Sequence, residues 1–320
     1  MRSPLAHVPK PEARAAVCAL VAALALVGLK FLGYFITGSA AIFSDALESV
    51  VNVAAAVLAI WSLYLSHLPA DREHPYGHGK IEFVSAGFEG GMILLAGLIA
   101  VGNAILTLIH GIVMRESRLD VGLALLAVAL AVNGGLGIVL LRLGKTVSSA
   151  TLEADGHHLL SDAVTSIAAI AGLLAVKWTG FTAADPIAAI VVAIYITFIG
   201  FRLVRRSLGG LMDRQDIQDQ QLIGRILDSH LGPTGLPPRI CSYHKVRHRH
   251  SGRYHWVDFH IRLPPEFDVR RGHEVATQIE REIQQALVIG NATAHVEPCG
   301  QADCASCRQQ REENTLSSMK

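Results

Sequence analysis

The sequence predicts an all-α membrane bundle of six transmembrane helices followed by a small cytoplasmic α+β domain, and three observations carry that expectation. The 320 residues are 51% hydrophobic and only 17% charged, where soluble domains carry about 25% charge. The charge is also uneven: 28 of the 55 Asp, Glu, Lys and Arg residues lie from Leu208 to Lys320, leaving 27 for the first 207 positions. Within that front part, six apolar stretches read as bilayer-spanning helices, each of which needs about 20 residues. Strands are excluded there, because an isolated strand in lipid leaves its backbone groups unsatisfied. A single large globular enzyme, a disordered chain and a disulfide scaffold fit this composition poorly, and a net charge of +1 argues against a nucleic-acid partner.

The first span runs from Ala15 to Ile36 with Lys30 as its only charge, and Lys30 is expected to snorkel to the interface. After the Thr37-Gly38-Ser39 turn, the second covers Ala40 to Ser66 and contains Asp45 and Glu48. The third, Ile81 to Val113, has Glu82 near its start and Glu89 within. The fourth, Val121 to Leu141, is uncharged; the fifth, Ala154 to Val176, holds Asp155 and Asp162; the sixth runs from Pro186 to Phe201. Basic residues gather at alternate ends (Arg2, Lys10 and Arg14; Arg72 and Lys80; Arg142 and Lys145; Arg202, Arg205 and Arg206), with Arg115 and Arg118 as the exception. The positive-inside rule then places both termini in the cytoplasm. No cleavable signal is evident, since the first apolar segment is too long for one and another follows it.

Beyond the spans, Asp216 to His230 has helical spacing, and Ser242 to His248 and Tyr254 to Leu263 read as strands around the Ser251-Gly252 turn. Val269 to Leu287 is an amphipathic helix and Ala292 to Val296 a last strand. The order α-β-β-α-β is ferredoxin-like, as in small metallochaperones. The expected segments are 1–14 (cytoplasmic N-terminus), 15–207 (bundle), 208–298 (cytoplasmic domain) and 299–320 (a Cys-containing polar tail, expected to fray).

Ionisable groups inside a membrane cost several kcal/mol and are functional candidates by default. Two trios repeat one spacing: Asp45, Glu48 and Asn52 in the second span, and Asp155, His158 and Asp162 in the fifth, each at i, i+3 and i+7. Each trio therefore lies on one helical face. Facing one another, Glu48, Asn52, His158 and Asp162 offer three oxygen-bearing groups and one imidazole, a tetrahedral set for a divalent transition ion. A lone polar residue such as Glu89 or Asn103 is read instead as a helix–helix hydrogen bond. In the loop after the second span, Asp71, His74 and His78 suit a metal, with glycines that let the backbone turn tightly; a solvated surface loop is the plainer alternative. The terminal domain holds eight of the 15 histidines. Of these, His244, His260, His273 and His295 lie in or beside its elements, Glu297 follows closely, and His248, His250 and His255 crowd the hairpin.

The chain resembles the cation diffusion facilitator family of six-helix metal-ion/proton antiporters over roughly Ala13 to Cys299. The resemblance rests on Gly38-Ser39-Ala40-Ala41-Ile42-Phe43-Ser44-Asp45-Ala46-Leu47-Glu48-Ser49, on His74-Pro75-Tyr76-Gly77-His78-Gly79-Lys80, on His157-His158-Leu159-Leu160-Ser161-Asp162 and on His295-Val296-Glu297-Pro298-Cys299. It implies a transport site of Glu48, Asn52, His158 and Asp162, and a loop site of Asp71, His74 and His78. It further implies a cytoplasmic binuclear site of His244, His260, His273, His295 and Glu297, a homodimer, and a charge interlock of Lys80 with Asp213. Well-known members carry Asp or His, then Asp, where this chain has Glu48 and Asn52; the neutral Asn leaves the ion and the proton count open. A shifted set using Asp45 and Ser49 is the alternative.

The expected function is efflux of a divalent cation, Zn2+ first and Fe2+, Mn2+, Co2+ or Cd2+ after it, in exchange for protons. A membrane metal sensor without transport is one rival reading. An intramembrane metalloenzyme is the other, and the H-E-x-x-H motif it would want is missing. Cys299, Cys304 and Cys307 form C-x4-C-x2-C; zinc with one further ligand and a flexible reduced tail both remain open for them, and Cys18 and Cys241 add nothing decisive.

Overall fold

The computed structural model describes residues 8–37, 40–110, 119–179, 184–287, 289–300, 304–305 and 307–309, with the side chains of 33–34, 36–37, 40–48, 51, 107, 110, 119–123, 125, 168–169, 172–179, 184–186 and 188 outside that description. They fall into two compact units, Met1–Leu211 and Met212–Lys320.

The first unit comprises α1 (Lys10–Thr37), α2 (Ala40–Ser66), α3 (Ile81–His110), α4 (Leu119–Val147), α5 (Ala150–Thr179) and α6 (Ala184–Leu211). All six expected spans are present. Several outrun their apolar stretch because helical hydrogen bonding continues into polar flanks: α4 carries on through Arg142 and Lys145, and α6 through Arg202, Arg205 and Arg206. Among the described residues, Lys10–Leu32, Ile81–Leu106 and Leu126–Val147 are long and apolar enough to cross a membrane.

Burial here is reversed from a water-soluble bundle. Val21, Leu24 and Phe35 of α1 and Leu95, Leu98 and Ile99 of α3 are exposed, while Glu82, Ser85, Glu89, Asp155 and His158 are buried. Lipid accepts the first set, and the second must find partners inside the protein. Ser149 donates to Glu82 at 2.6 Å, Ser62 and Thr151 share a hydrogen bond at 3.0 Å across α2 and α5, and Arg206 of α6 pairs with Glu153 of α5. α5 is the central helix, packing on α2, α3, α4 and α6. From Thr151 to Ala163 every one of its positions is buried or half-buried.

Small residues allow this closeness. A Cβ on Gly156 of α5 would lie 2.6 Å from the backbone nitrogen of Leu141 in α4.

The second unit holds α7 (Ile217–Ser229), β1 (Ser242–Ser251), β2 (Tyr254–Leu263), α8 (Val269–Ala286) and β3 (Gly290–Pro298), in the expected α-β-β-α-β order. Asp216 caps α7 by accepting from the backbone N–H groups of Gln218 and Asp219, and Asp268 caps α8 through Arg271. The sheet order is β1-β2-β3, with β1 antiparallel and β3 parallel to β2. Strand alternation sends Val257, Phe259, Ile261 and Ala292 to one face, where they form the core with Ile279 and Ile283 of α8 and Ile223 and Leu227 of α7. The opposite parity, including His260 and Glu297, is left for the other face.

Replacing Gly156 with Ala is expected to destabilise the bundle. Intrinsic helix propensity favours Ala by about 1 kcal/mol, but a Cβ driven into rigid backbone costs about 1–3 kcal/mol. A lowered melting temperature of the detergent-solubilised chain is the readout, and an unchanged or raised one contradicts the packing of α4 on α5.

Candidate metal sites

Asn52 of α2 reaches two residues of α5 at once. Its Nδ2 donates to Asp162 Oδ2 at 2.9 Å, and its Oδ1 lies 3.0 Å from His158 Nε2. With Oδ1 facing it, that imidazole nitrogen is the donor, so His158 carries its proton on Nε2. His158 Nδ1 is buried and lacks a hydrogen-bond partner among the described residues. Three of the four expected residues thus converge from two helices; the side chain of Glu48 lies outside the described residues, as does that of Asp45. One expectation is corrected nearby. Lys30 does not simply turn to the interface but donates to Ser49 of α2 at 2.7 Å, a bond that offsets part of the cost of its half-buried position.

The loop between α2 and α3 brings Asp71, His74 and His78 together, with one ligand atom from each within 4.8 Å of the others. Asp71 Oδ1 accepts from the backbone N–H of Glu73 at 2.9 Å and of His74 at 2.6 Å, an Asx turn that ties the loop down. His78 Nε2 lies 3.4 Å from Asp71 Oδ2, and Gly77 takes φ +78°, a conformation that favours glycine. The backbone N–H of His74 is the main cause holding the Asp71 carboxyl below its ordinary range. Lys80 follows and donates to the Leu211 carbonyl at 3.4 Å. In the second unit Asp213, at φ +57°, pairs with Arg249 at 3.7 Å.

In the sheet, register builds the next cluster. His244 pairs with His260 across β1 and β2, and His260 pairs with His295 across β2 and β3, so three imidazoles form a row on the face away from α8. Their ring centroids are 5.1 and 4.7 Å apart. Glu297 sits two residues beyond His295, 2.8 Å from His260 Nδ1 and 3.5 Å from His244 Nε2, with Arg262 at 3.4 Å. The hydrogen bond to His260 is the main cause that pulls the Glu297 carboxyl down to about 2. His273 lies on α8 and lines a groove with Phe267, Ala294, Val296 and Glu297.

A further grouping escapes sequence reasoning. Asp219 of α7 lies 2.9 Å from His250 and 2.8 Å from His255, with His248 also within reach. Hydrogen bonds from His250 and His255 hold the Asp219 carboxyl far below its usual range, and burial lowers the His248 imidazole. The crowded histidines are visible in sequence; their acidic partner, in the first turn of a helix about 30 residues earlier, is not. The tail departs from its expected fraying in part: Cys304 and Cys307 are buried against Cys299, with Cys241 beside them.

A helical bundle with a polar interior and a sheet domain that presents a row of imidazoles are the two parts of a membrane protein whose side chains could hold metal cations. Residues 16–212 match the cation efflux transmembrane domain, and residues 236–299 match the cytoplasmic domain of cation efflux proteins, a dimerisation domain. The chain belongs to the cation diffusion facilitator family. It is 36% identical over 283 residues to the uncharacterized transporter sll1263 of Synechocystis sp., covering 88% of this chain and 89% of that protein. It is 28% identical over 292 residues to the cation-efflux pump FieF of Salmonella arizonae and of Salmonella newport, covering 89% of this chain and 92% of theirs.

Asn52→Leu removes the two hydrogen bonds that Asn52 makes from α2 to α5 and leaves His158 and Asp162 without that partner, a loss of about 1–3 kcal/mol. Thermal unfolding of the solubilised chain in metal-free buffer is expected to report this as a lower midpoint; an equal midpoint would count against the bridge.

Proposed function

We propose that this protein exports a divalent transition-metal ion from the cytoplasm, Zn2+ foremost, in exchange for protons, with Glu48, Asn52, His158 and Asp162 as the intramembrane cargo site. The observation that carries the reading is the convergence of Asn52 with His158 and Asp162 from helices α2 and α5. Ligands must be deprotonated to hold a metal, so arrival of the ion expels protons and arrival of protons expels the ion. His158 is the natural carrier, since one imidazole nitrogen can hold either a proton or a metal ion. Its Nε2 proton must leave, or pass to Nδ1, before Nε2 can coordinate. Engagement of Ser49 by Lys30 favours this ligand set over one using Asp45 and Ser49. FieF of Salmonella, named a cation-efflux pump, supports the direction of transport.

The loop set of Asp71, His74 and His78 would take an ion near the membrane surface, where its exposure allows exchange. His244, His260, His295 and Glu297 would bind cytoplasmic metal and report its level. His273, in the groove that Glu297 also lines, would complete this site. Metal there would favour one dimer arrangement, and control of transport follows if the two arrangements differ in affinity. The charge pattern places both termini in the cytoplasm.

The test is zinc flux into proteoliposomes loaded with a metal-sensitive dye under a proton gradient, followed by a panel of Fe2+, Mn2+, Co2+ and Cd2+. Asp162→Ala and His158→Ala are expected to drop flux to the protein-free background while leaving the chain folded. Full flux in Asp162→Ala would remove this site, and tight metal binding without any flux would make the protein a sensor.

A further inference from the structure

Four of the five cysteines meet at one end of the sheet. Two are pinned by neighbouring residues of β2: the Cys241 backbone N–H donates to the Arg262 carbonyl at 2.8 Å, and the Cys299 N–H to the Leu263 carbonyl at 2.8 Å. The other two come from the tail, where Arg308 N–H donates to the Cys304 carbonyl at 3.0 Å in a helical turn.

The sulfur atoms all lie within 4.8 Å of one another, and those of Cys241 and Cys307 are 3.6 Å apart. Four thiolates held about 2.3 Å from a tetrahedral zinc ion stand about 3.8 Å apart. Two blander readings fit less well. A disulfide needs about 2.05 Å and would pair sulfurs two by two, whereas here all four are mutual neighbours. Apolar packing would mix the thiols with aliphatic side chains. Among the described residues this cluster contains cysteines alone, apart from the main core of the domain.

We propose that Cys241, Cys299, Cys304 and Cys307 form a closed tetrathiolate site for one borderline-soft dication, Zn2+ or its chemical likeness Cd2+, which clasps the C-terminal tail to the end of the sheet. Four protein sulfurs leave no open coordination position, so the site holds its ion and does not pass it on. It is separate in residues and chemistry from the imidazole row and from the intramembrane cluster, and it stands whether or not either of those binds metal.

The experiment uses the reduced full-length chain in detergent, stripped of metal and titrated with Co2+ alone. One equivalent per chain is expected to give the sulfur-to-cobalt charge-transfer band and the intense visible bands of a tetrahedral thiolate, and one equivalent of Zn2+ should discharge them. Cys304→Ser combined with Cys307→Ser, both in the tail, should abolish these bands, while His260→Ala retains them. Thiol counting supplies a second readout: Zn2+ should withdraw the four cysteines from a thiol reagent in the wild type, and should fail to protect Cys241 and Cys299 in the double variant. Absence of the thiolate bands in the wild type, their survival in the double variant, or unprotected thiols with Zn2+ present would each overturn the site.

Discussion

A polar side chain buried among lipid-facing helices must find its partner within the protein, and Asn52 finds two. Its amide both donates and accepts, so one side chain satisfies the Asp162 carboxylate and the His158 imidazole together. A carboxylate at this position could only accept. It would face Asp162 as a second negative charge, and the pair would need a shared proton or a cation to sit side by side. Asn52 instead closes the metal-free arrangement internally. The consequence for the proposed cycle is specific: an incoming ion must break two hydrogen bonds that already exist, and the site holds one negative charge fewer when it does. Both effects weaken binding, which suits a carrier that has to release its cargo.

The cytoplasmic domain rests on a different constraint, strand register. Antiparallel pairing of β1 with β2 and parallel pairing of β2 with β3 place His244, His260 and His295 opposite one another. A slip of one residue in either pairing would send an imidazole into the apolar core. The interior row of Val257, Phe259 and Ile261 against α8 therefore fixes the histidine row on the outer face.

These two cases show what could be read from sequence and what could not. Spacing within one element was legible: the six helices, the α-β-β-α-β order and the alternation that separates His260 from Phe259. Which element faces which was legible only where a repeated spacing suggested it. Lys30 was read as an interfacial lysine because nothing local reveals Ser49 one helix away. Asp219 was overlooked as the partner of His250 and His255 because a first-turn aspartate looks like an ordinary helix-dipole residue. The set of Cys299, Cys304 and Cys307 lacked its fourth member because Cys241 lies more than 50 residues upstream and joins only through the pairing around β2. In each instance the missing information was long-range.

The chemistry of these clusters differs in a way that bears on their tasks. The proposed intramembrane set would draw amide, imidazole and carboxylate ligands from separate helices, so small relative movements of α2 and α5 would open it. Its mixed oxygen and nitrogen donors are also ones that several divalent ions accept, which leaves selectivity to geometry and supply more than to affinity. The cysteine set is the reverse. Two of its members are anchored to adjacent residues of one strand and two lie within one helical turn, so opening it means peeling the tail from the domain. Under these two proposals, ligands that must let go would sit on separate helices, and ligands that hold would sit on one strand end and one helical turn.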